Sequence, residues 1–189
     1  MTEDDLYITL RLSVTVREIG IEPDDYITHY EGDITDVDER IGTISIMVAD
    51  LESAYLAGTH PHDVLDAHSA NAAHFCPVVH RNGFYKSLKN LSGHFICPAL
   101  LIDRVEVDAA RRGKGIGEKA IDIAARTIGL PCPVVMLYAF PIQWEGRVDE
   151  GPKEFSRDHT RLIKYYKRIG FTNTNFYGIM AKKNQHFLS

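Results

Sequence analysis

The chain has 189 residues, 44% hydrophobic and 25% charged, the balance of an ordinary globular domain rather than a disordered or low-complexity one. Its formal net charge of −5 argues against a nucleic-acid binder, which needs a basic face. No apolar run approaches the roughly 18 residues of a membrane span, and the acidic opening Met1–Asp5 has no signal-peptide pattern.

In chain order, Ile8, Leu10, Leu12, Val14 and Val16 alternate with Thr9, Arg11, Ser13, Thr15 and Arg17, the period of a half-buried strand. The polar stretch 22–39, with Gly32 and many carboxylates, reads as a surface loop or excursion. Ile44, Ile46 and Val48 alternate with Thr43, Ser45 and Met47 as a second strand. Helical periodicity then places Val64, Leu65, His68, Ala72 and Phe75 on one face, with Pro61 suited to a first helical position. Residues 99–107 read as a buried strand, and 118–128 as a helix with Ala120, Ile121, Ala124 and Ile128 inward. The apolar run 134–140 suits a central parallel strand. A loop with Trp144 and Arg147 leads to a helix over 153–169, striped by Phe155, Leu162, Tyr166 and Ile169. Residues 176–182 read as a last strand. Cys76, Cys97 and Cys132 are odd in number and far apart, as in reduced core residues of a cytoplasmic protein.

Between the 99–107 strand and the 118–128 helix lies Arg112-Gly113-Lys114-Gly115-Ile116-Gly117. Glycines there permit a tight turn and leave backbone N–H groups directed at a helix N-terminus, a site for anionic phosphate. A Walker loop is excluded because Gly115, not Ser or Thr, follows Lys114. A dinucleotide fingerprint is excluded because Glu118 stands at its third glycine position. The remaining pattern, Arg112-x-x-Gly115-x-Gly117, resembles the acyl-CoA-binding motif of the GNAT superfamily of N-acyltransferases. A second match is Tyr166-Lys167-Arg168-Ile169-Gly170-Phe171, which looks like the end of that family's helix before its last strands. Gly170 suits a left-handed helix end. The alternative is that Tyr166 is only a core aromatic.

The resemblance covers residues 99–182 and implies an α/β fold, a GNAT-like mixed sheet with helices on both faces. Helices directly after the first strand would be usual; here a second long strand intervenes, so the N-terminal half is read as rearranged or elaborated. One domain over 1–189 is expected, with acceptor-side elements in 1–97 and an acyl-CoA-binding core in 98–189. The activity implied is transfer of an acetyl or related short acyl group from coenzyme A, the co-substrate, to an amine in a ternary complex. The acceptor is a small molecule or a protein, and the net negative charge is compatible with a cationic amine. No nucleic acid, membrane or metal partner is expected, and a homodimer stays open. Rival readings are a GNAT-like module that binds CoA without turnover, and a protein-binding domain whose loop is only a turn.

By the resemblance, backbone N–H groups of Gly113, Lys114, Gly115, Ile116 and Gly117 hold the pyrophosphate, with charge from Arg112 and Lys114. Lys114 alternatively belongs to a solvated turn. Backbone donors near Val107, where two parallel strands splay, polarise the thioester carbonyl. His159 replaces an Asn that often touches the cofactor, and Leu162 replaces a small Ala. Tyr166 gives its proton to the departing thiolate. The base is expected on the 99–107 strand: parity puts Asp103 with Val105 and Val107, facing the cleft, and Glu106 on the other layer. Leu101 leaves the best-known base position without a carboxylate. The alternatives are an ion-paired Asp103, with water or an acceptor-side histidine as base. His60, His62, His68, His74, His80 and His94 crowd one segment without a zinc-site spacing.

Overall fold

The computed structural model describes residues 6–15, 22–80, 83–147 and 151–187. Val16 and Arg17 of the expected first strand, and the acidic Met1–Asp5, lie outside them. The first strand, β1, is Ile8–Thr15. The polar stretch expected as a loop is instead mostly a strand: β2 spans Ile27–Asp36 and pairs antiparallel with β1 and with β3, Glu39–Ala49. Charged side chains at half-exposed positions disguise it, since only Ile27, Ile34 and Thr35 are buried. Gly32 is the tell-tale residue. A Cβ there would lie 1.9 Å from the carbonyl oxygen of Arg11, so only glycine lets β1 approach this closely.

After β3, Asp50 caps the short helix α1, Leu51–Leu56, by accepting the Ser53 N–H at 3.0 Å. The expected single helix around Val64–Phe75 is broken. Helix α2, Pro61–His68, ends at the extended Ser69, whose hydroxyl accepts from Ala72 N–H to start α3, Ala70–Ala73. A small hairpin, β4 Val79–His80 and β5 Gly83–Phe84, leads to α4, Lys86–Ser92. Then follow β6, Ala99–Val107; α5, Ile116–Arg126; β7, Val134–Tyr138; and α6, Pro152–Arg168. Strands β8, Thr172–Asn173, and β9, Ile179–Lys183, close the fold. Thus α5 begins earlier than expected, β7 stops before Phe140, and Phe176 precedes β9 rather than opening it.

The main sheet has seven strands in the order β1-β2-β3-β6-β7-β9-β8, antiparallel except for the central parallel pair β6–β7. Alternate residues of the central strands enter two cores. Met47, Leu101 and Met136 meet Leu65, Phe75 and Leu88 on the α1–α4 face. Ile46, Leu100 and Leu137 meet Ile121 of α5, with Leu162 and Tyr166 of α6 packed around them. Each fully buried side chain of this size contributes about 1.5–3 kcal/mol of transfer free energy, which holds both layers on the sheet. The fold is the mixed α/β sheet with helices on both faces that the resemblance implies, and the first helix comes only after the third strand.

Cys76, Cys97 and Cys132 are free and buried. Burial pushes their thiols up, to about 11 for Cys76 and about 12 for Cys97 and Cys132, so little thiolate forms near neutral pH. Among the described residues no helix is long and apolar enough to cross a membrane.

Candidate active site

The site begins where β6 and β7 part. Their parallel pairing runs from Ala99↔Val134 and ends at Ile102↔Leu137. On its other edge β6 stays bonded to β3 as far as Val107↔Gly42, but the register slips there. Ile46 faces Ile102 while Ser45 faces Arg104, which leaves Asp103 as the extra residue of a β-bulge. The bulge reverses the alternation of side chains. Leu100 and Ile102 before it, and Val105 and Val107 after it, all pack on the α5 side. The expectation that Asp103 shares a face with Val105 and Val107 is therefore wrong: one inserted residue moves every later side chain across the sheet. Asp103 instead turns toward β3, where the Ser45 hydroxyl donates to its Oδ2 at 2.8 Å. Ser45 Oγ lies 2.9 Å from Nε2 of His29 on β2.

The separation of the two strands opens a cavity of about 230 Å³, lined among others by Asp103, Arg104, Val105, Tyr138, Phe140 and Tyr166. Asn71, His74 and Phe75 line it as well, and His74 stacks on Tyr138 at 4.6 Å. Arg104 pairs with Glu145 at 2.9 Å, tying the segment after β7 to β6 at the cavity rim. That segment is anchored to α6 by Trp144 Nε1, which donates to Asp158 at 3.1 Å. The Trp144 bond, with those from Gln143 and Arg157, holds the Asp158 carboxyl below its usual range. No cysteine is among the residues lining the cavity.

The fold thus brings Asp103 and Tyr166, 63 positions apart in sequence as 166 − 103, into one cavity. Tyr166 is on the buried stripe of α6, its ring edge-to-face with Phe171 at 5.8 Å. Burial raises its phenol strongly, with a smaller contribution from Tyr165, so it keeps its proton. Helix α6 then ends as its sequence suggests: Ile169 is the cap and Gly170 takes φ +94°.

The glycine loop stands on the adjoining wall. A 3₁₀ turn, Ala109–Arg111, leads to Arg112, whose Nε donates to the Val107 carbonyl at 2.9 Å. Gly113 and Gly115 take φ +82° and +74°, conformations that strain most other residues. Gly115 is the N-cap of α5 and provides no side-chain cap. First-turn N–H groups of a helix have no acceptor within it, so those of Ile116 and Gly117 have no partner inside α5. The Tyr165 phenol reaches this end of α5, where the Glu118 backbone N–H interacts with it, while burial raises its pKa. A Cβ on Gly117 would lie 3.3 Å from the Tyr165 hydroxyl and 3.7 Å from Val105, a cavity-lining residue. Ile116 is buried and offers only its backbone, whereas Lys114 is exposed.

Two expected residues lie apart from this cavity. Val107 is at the far end of β6, opposite Gly42; the strands diverge at Asp103, before it. His159 is 8% exposed, stacks flat on Phe155 at 5.7 Å, and has Nδ1 3.4 Å from the Tyr177 hydroxyl. It lines a second cavity, of about 260 Å³, with residues of the β8–β9 turn. Burial lowers its pKa and favours the neutral ring. Two residues were missed from sequence, Ser45 and His29. The only signal was Ser45 on the polar face of its strand, because β2 itself was not legible. Among the described residues no three His, Cys, Asp or Glu side chains group to hold a metal ion.

No family model and no curated protein matches the chain. Solved structures similar to it include PH1933 from Pyrococcus horikoshii OT3, at 13% identity over 81% of this chain and 64% of that one, with a TM-score of 0.37. A mutant of KacT aligns at 10% identity over 85% and 72% of the two chains, TM-score 0.42. A mutant agmatine N-acetyltransferase in its apo form aligns at 12% identity over 77% and 59%, TM-score 0.42. The chain therefore spans less than two thirds of the length of two of these. Likenesses this distant leave the function to be read from the site itself.

Proposed function

We propose that this protein transfers an acetyl or similar short acyl group from coenzyme A to an amine by direct attack. The observation that carries the reading is the one cavity at the β6–β7 divergence, holding a carboxylate and a phenol beside the glycine-bearing N-terminus of α5. The pyrophosphate of the acyl-CoA would take the N–H groups of the glycine loop, where the positive end of the α5 dipole favours anions. Its thioester would reach past Val105 into the cavity. Asp103 receives a proton from the ammonium, the freed nitrogen bonds to the carbonyl carbon, and the carbon–sulfur bond breaks. Tyr166 gives its proton to the leaving thiolate, and the second proton of the attacking nitrogen passes to the phenolate, which restores the phenol and leaves a neutral amide. Without a cysteine in the cavity, direct attack is favoured over a protein-bound acyl intermediate.

Asp103→Asn tests the base. It keeps the shape of the side chain but cannot accept the proton, so kcat/KM for acetyl transfer should fall by about 10²-fold or more. The loss should be largest at low pH, where the smallest share of the amine is already neutral. A folded Asn variant with the wild-type pH–rate profile would move the base elsewhere.

A further inference from the structure

Resting on the acyl-transfer reading above, we propose that Ser45 and His29 are positioning residues that carry the acceptor's proton outward from Asp103 through a three-strand relay. Strands β2, β3 and β6 are neighbours in the sheet. Direct cross-strand partners are Glu31↔Ser45 and Ser45↔Arg104, so His29 stands one diagonal step from Ser45 on the same face. The bulge at Asp103 supplies the last link. Asp103 lies on the same face as Ser45, next in sequence to the direct partner Arg104, and turns its carboxylate to the serine hydroxyl.

Hydrogen-bond accounting gives the chain a direction. A serine hydroxyl has one proton, and an ionised carboxylate only accepts, so Ser45 donates to Asp103 across 2.8 Å. Its lone pair then faces Nε2–H of His29 across 2.9 Å. Once Asp103 takes a proton from the bound ammonium, the order inverts. Asp103 donates to Ser45 Oγ, the Ser45 proton passes to Nε2, and His29 becomes an imidazolium. The neutral ring enters that order as its Nδ1–H tautomer, which exchange with solvent supplies, its side chain being 29% exposed. Asp103 returns to a carboxylate and Ser45 to a hydroxyl, and the net event is one proton moved from the amine to the imidazole.

The relay answers a mismatch in basicity. A carboxylate of reference pKa ~3.9 lies about 6.5 units below an alkylammonium, while an imidazole lies about 4 below. Four charged or titratable neighbours face this group. Glu31 on β2 is 3.6 Å from Nε2, and the His68 ring on α2 meets the His29 ring edge-on at 6.1 Å. Asp103 and Arg104 come from β6, with the Arg104 charge directed to Glu145.

His29→Gln separates titration from positioning, since its amide can still bond to Ser45 but cannot hold the extra proton. With an alkylamine and acetyl-CoA, kcat/KM should fall about 10-fold or more in His29→Gln and Ser45→Ala, and Ser45→Thr should recover most of it. The acid limb of the wild-type profile between about pH 5 and 8 should change shape in His29→Gln. Independently of turnover, the ¹⁵N titration curve of the His29 imidazole should move to lower pH in Asp103→Asn and in Ser45→Ala. An unchanged pH profile in folded His29→Gln, or an unmoved His29 curve in Asp103→Asn, overturns the relay. A wild type that fails to bind acetyl-CoA overturns the acyl-transfer reading instead, and the two failures are told apart by calorimetry.

Discussion

Gly115→Asp should weaken acetyl-CoA binding by at least ~100-fold, a loss of about 2.7 kcal/mol, while leaving the fold intact. A Cβ at this position meets no heavy atom within 4 Å, and Asp is among the residues that best tolerate a φ of +74°. Gly115 is the N-cap of α5 but lies in the left-handed region, so an introduced carboxylate stands at the mouth of the helix N-terminus at the cost of some backbone strain. It puts bulk and a negative charge where the phosphates would sit. The melting temperature should fall only by the strain of a side chain at positive φ while binding is lost, which distinguishes the effect from unfolding. Gly115→Asn, with similar bulk and no charge, should fall between Gly115→Asp and the wild type. The equivalent change at Gly117 is a poorer probe, because its Cβ would press on the Tyr165 hydroxyl. Calorimetry of the Gly115 variants beside their melting curves checks this, and an Asp variant that binds like the wild type would take the loop out of the site.

Tyr166→Phe should lower kcat by ~10²–10⁴-fold with little change in acetyl-CoA affinity, the pattern of a lost proton donor. The ring survives, so the contact with Phe171 and the packing of α6 are kept. The sign of the pH dependence follows from burial. A raised phenol pKa means that the proton stays on Tyr166 as pH climbs through ~10, the usual tyrosine value. The wild-type kcat should therefore show no alkaline fall from this group below about pH 10, whereas a thiolate must be protonated by solvent in the Phe variant. Steady-state kinetics from neutral to alkaline pH would show it. Equal kcat in both proteins would leave Tyr166 as a core aromatic.

What could be read in advance, and what could not, divides along physical lines. The loop and the end of α6 were legible because glycine is nearly obligatory at positive φ, at Gly113, Gly115 and Gly170 alike. The Tyr166 stripe was legible because α6 is strongly amphipathic. Strand β2 was hidden because its faces are only half covered, and polar side chains at such positions do not alternate with apolar ones. The bulge at Asp103 was hidden for a different reason. It is a property of the pairing between β3 and β6, and nothing in residues 99–107 alone marks which one is extra. Hence Asp103 entered the cavity by a route opposite to the parity argument. An acceptor-side histidine is an open alternative from composition, but His29 lies on β2, whose half-exposed polar residues carry no strand periodicity to place it beside Ser45.

The most direct test of the central claim is release of free thiol from acetyl-CoA across a panel of amines, followed by mass spectrometry of the acceptor. The buried, high-pKa cysteines of the native protein leave a low background in such an assay. Amine-dependent thiol release with an acceptor heavier by one acetyl group, lost in Tyr166→Phe and Gly115→Asp, is the predicted result. Acetyl-CoA binding with no amine-dependent release across small amines, peptide N-termini and lysine side chains would contradict it and make the chain a CoA-binding module.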